Sequence, residues 1–388
     1  MRVGGIHAEP LAAILVNGSA VVAAAFLLAW AAETAQQDIS GNLAMALLAL
    51  IAVLPEYAID LYFGYSAGHS PDAARYAAAN MTGSNRLLLG LGWPFVLLLV
   101  FIGSRSRARK SAPGAVAPPI VTELLLDPSR RIELAALAVA SLWCLAIPFR
   151  HQIGLVDSAV LLAIFAAYLV RASREEHDEP ELIGVAQVLG DLPRPQRRAA
   201  IICLFVFAAI AVVAAAQPFA DALVSGGRAL GLDEFLLVQW LAPLASEAPE
   251  FLVAAILALR GNGNAAIGAL LSSKVNQWTM LVGSLPLAHL AGGGTGSLPL
   301  DERQFGELLL TATQALLGFA VLCDLRLRVG EALLLVSLFV SQLCFHQTNV
   351  RLGFSAAYLI AALVILATKP RELRDIARAA VHTTTSSQ

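Results

Sequence analysis

Apolar runs of membrane-spanning length recur along the whole chain, and no other property of the sequence limits its fold so tightly. A helix needs about 20 consecutive apolar residues to cross a bilayer. Eleven such segments are read at about 11–31, 42–66, 76–102, 132–148, 154–170, 199–216, 234–259, 264–290, 306–323, 331–346 and 353–368. Of the 388 residues, 58% are hydrophobic and 14% charged, against roughly a quarter charged in a soluble domain. That excludes a cytosolic enzyme, a nucleic-acid binder and a disordered chain. The expected fold class is an all-α integral membrane protein of about eleven transmembrane helices. The first apolar run follows a single basic residue, Arg2, without a cleavage site, and is read as a retained helix. Cys144, Cys203, Cys323 and Cys344 lie within apolar runs with no metal-ligand spacing, and are read as small buried hydrophobes.

Basic residues orient such a chain, because cytoplasmic loops carry the excess of Lys and Arg. Eighteen fall in loops on one side; the other side holds Arg2, Arg75, Arg150, Arg228, Arg303 and Arg351. The N-terminus is then outside and the C-terminus cytoplasmic, in a plasma (inner) membrane. The longest polar stretches are Gly103–Arg131 and Arg171–Arg198. In the second, Glu181–Leu189 reads either as a short interfacial helix or as a solvated turn.

Two stretches echo each other. Leu54-Pro55-Glu56-Tyr57 is followed by Gly83-Ser84-Asn85, and Ala248-Pro249-Glu250-Phe251 by Ser272-Ser273-Lys274. In the topology above, the first begins on a helix running outward and the second on one running inward. Repeats of opposite orientation with a site between them are a frequent plan of secondary transporters.

Charge inside the apolar segments marks the same places. A charged side chain at the bilayer centre costs about 2.5–3.5 kcal/mol on insertion scales. Glu56, Asp60, Glu247, Glu250, Arg86 and Lys274 are so placed, and must face one another or a wet cavity. Glu56 and Asp60 are four apart, and Glu247 and Glu250 three apart, so each pair shares a helix face. Together they make a candidate hard-oxygen cage of the kind calcium takes. Asn80, Ser84, Asn85, Ser246, Ser272, Ser273, Asn276 and Gln277 add neutral oxygens on the same helices. Arg86 and Lys274 are the candidate compensating cations, and a set of internal salt bridges is the alternative reading. Pro55 and Pro249, read as helical prolines, leave the carbonyls of Ile51 and Ala245 without a donor and free to line a cavity. Lys274 is expected to face Glu250, where opposite charges 4 Å apart attract by about 4 kcal/mol at an effective dielectric near 20; a lysine snorkelling to an interface is the alternative. The histidines are scattered, and no HExxH, GxSxG, Asp-rich or P-loop motif is present. No enzymatic activity and no cofactor are expected.

The two stretches resemble the α-repeats of the cation/calcium exchanger superfamily, the sodium/calcium exchangers and their relatives. The pattern there is a small-polar pair, Leu-Pro-Glu, then Gly-Ser-Asn on the next helix. The resemblance implies an inverted five-plus-five helix fold, here with one extra C-terminal helix. Residues 1–171 would form the first inverted repeat, with its α-repeat at about 42–102. A cytoplasmic linker follows at 172–198. Residues 199–368 would hold the second repeat, with its α-repeat at about 234–290, and the extra helix; 369–388 would be a cytoplasmic tail. By matching position Glu56 and Glu250 would be central cation ligands, and Ser84 and Ser273 neutral ones. The sequence departs from the pattern at Ala52-Val53 and Ser246-Glu247, where the small-polar pair would stand. It departs again at Leu88, matched by Gln277 in the second stretch, and at Lys274 in place of an Asn. The implied activity is secondary antiport by alternating access, exchanging a cation such as Ca2+ for Na+ or H+ across the bilayer. A proton-coupled calcium or monovalent-cation antiporter is the first alternative, and a non-transporting membrane scaffold the second. The inorganic cations are cargo, and the net charge of −2 offers no footprint for nucleic acid.

Overall fold

Apolar side chains give the segments a reason to be buried, and the bilayer gives their backbone a reason to be helical, since N–H and C=O groups in lipid must bond within the segment. The computed structural model describes residues 10–38, 54–110, 121–172, 182, 184–345 and 347–381. In chain order come α1 (Pro10–Ala35), α2 (Leu54–Ala67), α3 (Pro71–Leu87), α4 (Trp93–Lys110), a short strand β1 (Glu123–Leu125), α5 (Arg131–Ala146), α6 (Leu155–Ala172), α7 (Val185–Gly190) and α8 (Arg194–Leu230). Then follow α9 (Glu234–Ser246), α10 (Ala248–Arg260), α11 (Gly263–Asn276), α12 (Val282–Ala291), α13 (Glu302–Leu322), β2 (Arg326–Arg328), α14 (Val329–Leu343), α15 (Thr348–Thr368) and α16 (Pro370–Val381).

Most of the described residues of the expected segments fall on helix, with breaks at Glu247 and at several segment ends. Length and apolarity alone qualify seven helices as spans among the described residues, or eight if the bent pair α9–α10 is one span. The beginning of the second segment, with Ile51, Ala52 and Val53, lies outside the described residues, as do 173–181 of the linker and 382–388 of the tail.

The structure departs from expectation in several places. Helix α8 runs on through Pro218 to Leu230, well past the expected end at 216, and stops only at Gly231, whose φ of 64° suits a residue without a Cβ. The linker does hold a short helix, over Val185–Gly190, and the tail holds α16. The chain is not purely helical, because β1 pairs antiparallel with β2, Leu124 opposite Leu327. Pro249 is not inside a continuous helix. Helix α9 ends at Ser246, Glu247 takes φ −95° and ψ 0°, and α10 starts at Ala248 after a bend of 53°. Of the cysteines, Cys144 and Cys323 are buried as expected, whereas Cys203 and Cys344 are exposed; all four are free thiols.

The chain divides into two units, each drawn from both halves of the sequence. The first comprises Met1–Ser84, Glu176–Pro249 and Leu285–Leu298; the second Asn85–Glu175, Glu250–Ser284 and Pro299–Gln388. In the first unit α1 lies along α8, and Ala24, Leu28, Ala208 and Val212 form a small apolar core between them. Asp38 closes this pair at one end by accepting from Arg197 at 2.7 and 2.8 Å, which holds its carboxyl below the usual range. In the second unit α13 is the central helix, packed against α5 and α15. Its last carbonyls are capped by Lys369, whose Nζ donates to Ala320 and Val321 at 3.4 and 3.0 Å and pairs with Asp324 and Glu331.

Candidate functional site

The two echoing stretches fold into the same local structure. The second begins with its proline as the second residue of a helix, Pro249 in α10, where the missing N–H costs no hydrogen bond; Pro55 lies on α2 close to residues 51–53, which are outside the described residues. Each glutamate follows its proline on the same helix, and Glu250 stands in the first turn of α10, where the helix dipole favours an anion. Each small-polar triplet ends on a helix that then switches to π-helical bonding for five residues, Leu88–Gly92 and Gln277–Leu281. Both π segments start four residues beyond the serine, Ser84 or Ser273. Such segments interrupt α-helices mostly at functional sites.

The first unit holds Glu56, Asp60, Asn80, Ser84, Ser246 and Glu247, all buried. Asp60, fully buried one turn past Glu56, has the Asn80 side chain beside it. Thr82 donates to the Ala78 carbonyl at 2.7 Å and accepts from Gln239 at 3.2 Å. Ser84 donates to the Met81 carbonyl at 3.2 Å, and Ser246 to that of Ala242 at 3.2 Å. Between Thr82 and Ser84 the backbone of α9 presses directly on Gly83. A Cβ there would stand 1.7 Å from the Gln239 carbonyl oxygen, so only glycine fits. Glu247 sits in the bend between α9 and α10, in a sparsely allowed backbone region common at active sites.

The second unit holds Asn85, Arg86, Glu250, Ser273, Lys274, Asn276 and Gln277. Glu250 is half-buried and the others are buried. Lys274 Nζ donates to Asn85 Oδ1 at 2.7 Å and to the Asn85 carbonyl at 3.0 Å, and stands 4.7 Å from the centre of the Trp278 ring. Ser272 reaches Glu133 Oε1 at 3.5 Å, and Glu133 is paired with Arg130 at 2.9 Å. Gly268 leaves room for that arginine, since a Cβ there would meet the guanidinium at 2.6 Å.

Arg86 points to residues that sequence reasoning passed over. It pairs with Glu307 of α13, and Glu307 pairs also with Arg351 of α15. Arg351, counted above as a loop residue, is buried in the first turns of its helix. Glu307 stands second in the segment read at 306–323, and its charge was the signal available. Gln314 donates to the Arg86 carbonyl at 3.2 Å and completes this cluster. Among the described residues no three His, Cys, Asp or Glu side chains gather into a metal cluster. A calcium ion takes about six to eight oxygens, so a carboxylate-held cation would draw on neutral oxygens as well.

The sodium/calcium exchanger protein family matches the chain over residues 10–174 and 200–347. The chain is similar to a crystal structure of the H+/Ca2+ exchanger CAX, at 39% identity over 96% of this chain and 92% of that one, with a TM-score of 0.88. It shares its fold with the sodium-calcium exchanger NCX_Mj (16% identity over 86% of this chain and 98% of that one, TM-score 0.54). It also shares the fold of native YfkE (15% identity, 89% and 92% coverage, TM-score 0.58). Among curated proteins no sequence matches.

Proposed function

The chain belongs to the sodium/calcium exchanger protein family, and within it we propose a proton-coupled calcium antiporter that works by alternating access. The observation that carries the choice of ions is the 39% identity to an H+/Ca2+ exchanger along nearly the whole chain. Sodium-coupled exchange is the second reading. The departures from the family pattern favour this order. Leu88 offers no oxygen where the pattern has a polar ligand, and neither do Ala52 and Val53, which are outside the described residues.

In this reading Glu56 and Glu250 are the central ligands of the transported cation, with Ser84, Ser273 and Gln277 as neutral oxygens. Asp60, Glu247, Asn80, Asn85 and Ser246 are the further candidate ligands of this proposal. Eleven spans in an inverted five-plus-five arrangement with one extra C-terminal helix belong to the same proposal. So do the external N-terminus, the cytoplasmic C-terminus and the inner-membrane location. Carboxylates suit both cargoes, because one side chain can hold a cation when ionised and a proton when that cation leaves. Calcium-45 uptake into proteoliposomes under imposed gradients tests the reading. A pH gradient should drive uptake and a sodium gradient should not. Uptake driven by sodium alone selects the second reading, and no flux under either gradient leaves the scaffold.

A further inference from the structure

Lys274 stands where its repeat mate is Asn85, and in the second unit these two matched residues bind each other. Lys274 is 1% exposed. It is held by an amide oxygen at 2.7 Å, a main-chain carbonyl at 3.0 Å and the face of an indole 4.7 Å away. Local structure explains how these partners meet. Trp278 follows Lys274 by four residues and so lies on its face of the helix, at the second residue of the π segment Gln277–Leu281. Trp278 is itself fully buried, and its carbonyl receives the Cys144 thiol. The Asn85 carbonyl lies three residues before the other π segment, at the edge of the change in bonding that shifts carbonyls out of the helical ladder.

These are the ligands a small monovalent cation takes: neutral carbonyl oxygens at interrupted helices, and an aromatic face. We propose that Lys274 is a tethered cation, whose ammonium permanently fills a monovalent-cation position formed by the two Asn85 oxygens and Trp278. That position therefore takes no exchangeable sodium, and Lys274 sets which ion the antiporter can couple to. The proposal deepens the function above, in that it gives the exclusion of sodium a residue. It differs from a plain structural crosslink in one respect: removing the ammonium should leave a place that sodium can enter.

The test uses the full-length protein in detergent and in proteoliposomes, with sodium chloride compared against choline chloride. For the wild type and Lys274→Arg, melting temperature should be indifferent to sodium. For Lys274→Asn, which restores an amide at this position, saturating sodium should raise it by about 3 °C, the shift expected of an ion bound only by the folded state. Calcium uptake by Lys274→Asn should become sodium-stimulated. A neutral variant that folds only when purified in sodium supports the proposal equally, because the free ion then replaces the tethered one. A folded Lys274→Asn indifferent to sodium overturns it. So does failure of both Lys274→Asn and Lys274→Met to fold in either salt, or a wild type already stabilised by sodium to the same degree. If the wild type takes up no calcium under a pH gradient, the function proposed above falls, and the melting comparison still decides this one.

Discussion

The first stretch, Leu54 to Gly92, and the second, Ala248 to Leu281, share their framework and differ in what fills it. Both carry Pro-Glu on a helix, and both reach a π segment four residues past a serine. At matched positions, however, Gly83 stands against Ser272, Asn85 against Lys274, Arg86 against Val275 and Leu88 against Gln277. The first stretch packs more tightly at its glycine and brings in a guanidinium, which pairs with Glu307, the carboxylate that also pairs with Arg351. The second keeps a buried valine there and brings in an ammonium one residue earlier. The framework thus carries what the two copies do alike, namely placing a glutamate and a serine. The filling divides the charges unequally between them.

The largest effect should come from what is alike. Glu56→Gln and Glu250→Gln keep the volume and remove the charge, and each is expected to abolish calcium uptake in proteoliposomes while the protein still elutes as a folded species. Glu56 is buried and Glu250 half-buried. Retention of wild-type uptake by either variant would break the equivalence of the two stretches.

The next effect tests the unequal charges. Glu307→Gln leaves Arg86 and Arg351 buried without their carboxylate, which should cost about 3–5 kcal/mol of stability, read from thermal or denaturant unfolding in detergent. The matched position in the second stretch needs no such counter-ion, so Val275→Ala should cost only the price of a small cavity, about 1–3 kcal/mol. A Glu307→Gln protein as stable as the wild type would show that Arg86 draws nothing from this carboxylate.

The smallest and most local effect concerns the triplets. Gly83→Ser forces the Gln239 backbone away and is expected to cost about 1–3 kcal/mol or more. The mirror substitution, Ser272→Gly, loses one long hydrogen bond to Glu133 and some helix propensity, about 1 kcal/mol. Equal losses for the two would mean that α9 yields easily at Gly83, and that the tight packing there is no distinguishing feature.

Much of this comparison could be read before any coordinates, for a physical reason. The bilayer punishes charge and rewards apolar runs, so the helices and the six charges set within them stand out in composition alone. Pro-Glu and the serine are local words, and in the second stretch Pro-Glu lies just past the bend between α9 and α10. Long-range partners were not legible. Glu307 and Arg351 sit near the starts of their helices, where a charge is ordinary, and only folding brings Glu307 onto Arg86 and Arg351 onto Glu307. The π segments leave no mark in hydropathy, because Leu88–Gly92 is as apolar as any α-helical turn. The same holds for the bend at Glu247: proline announces an irregularity, but not whether the helix kinks or stops. The β1–β2 pairing is only three residues long, too short to show an alternating pattern.

The paired π segments also bear on what each helix can present. A π turn bonds i to i+5 where the flanking turns bond i to i+4, so the regular ladder is broken there. In both stretches the break begins four residues past the serine. The same local irregularity therefore follows glycine or serine, asparagine or lysine, arginine or valine, whichever side chain each stretch sets in front of it.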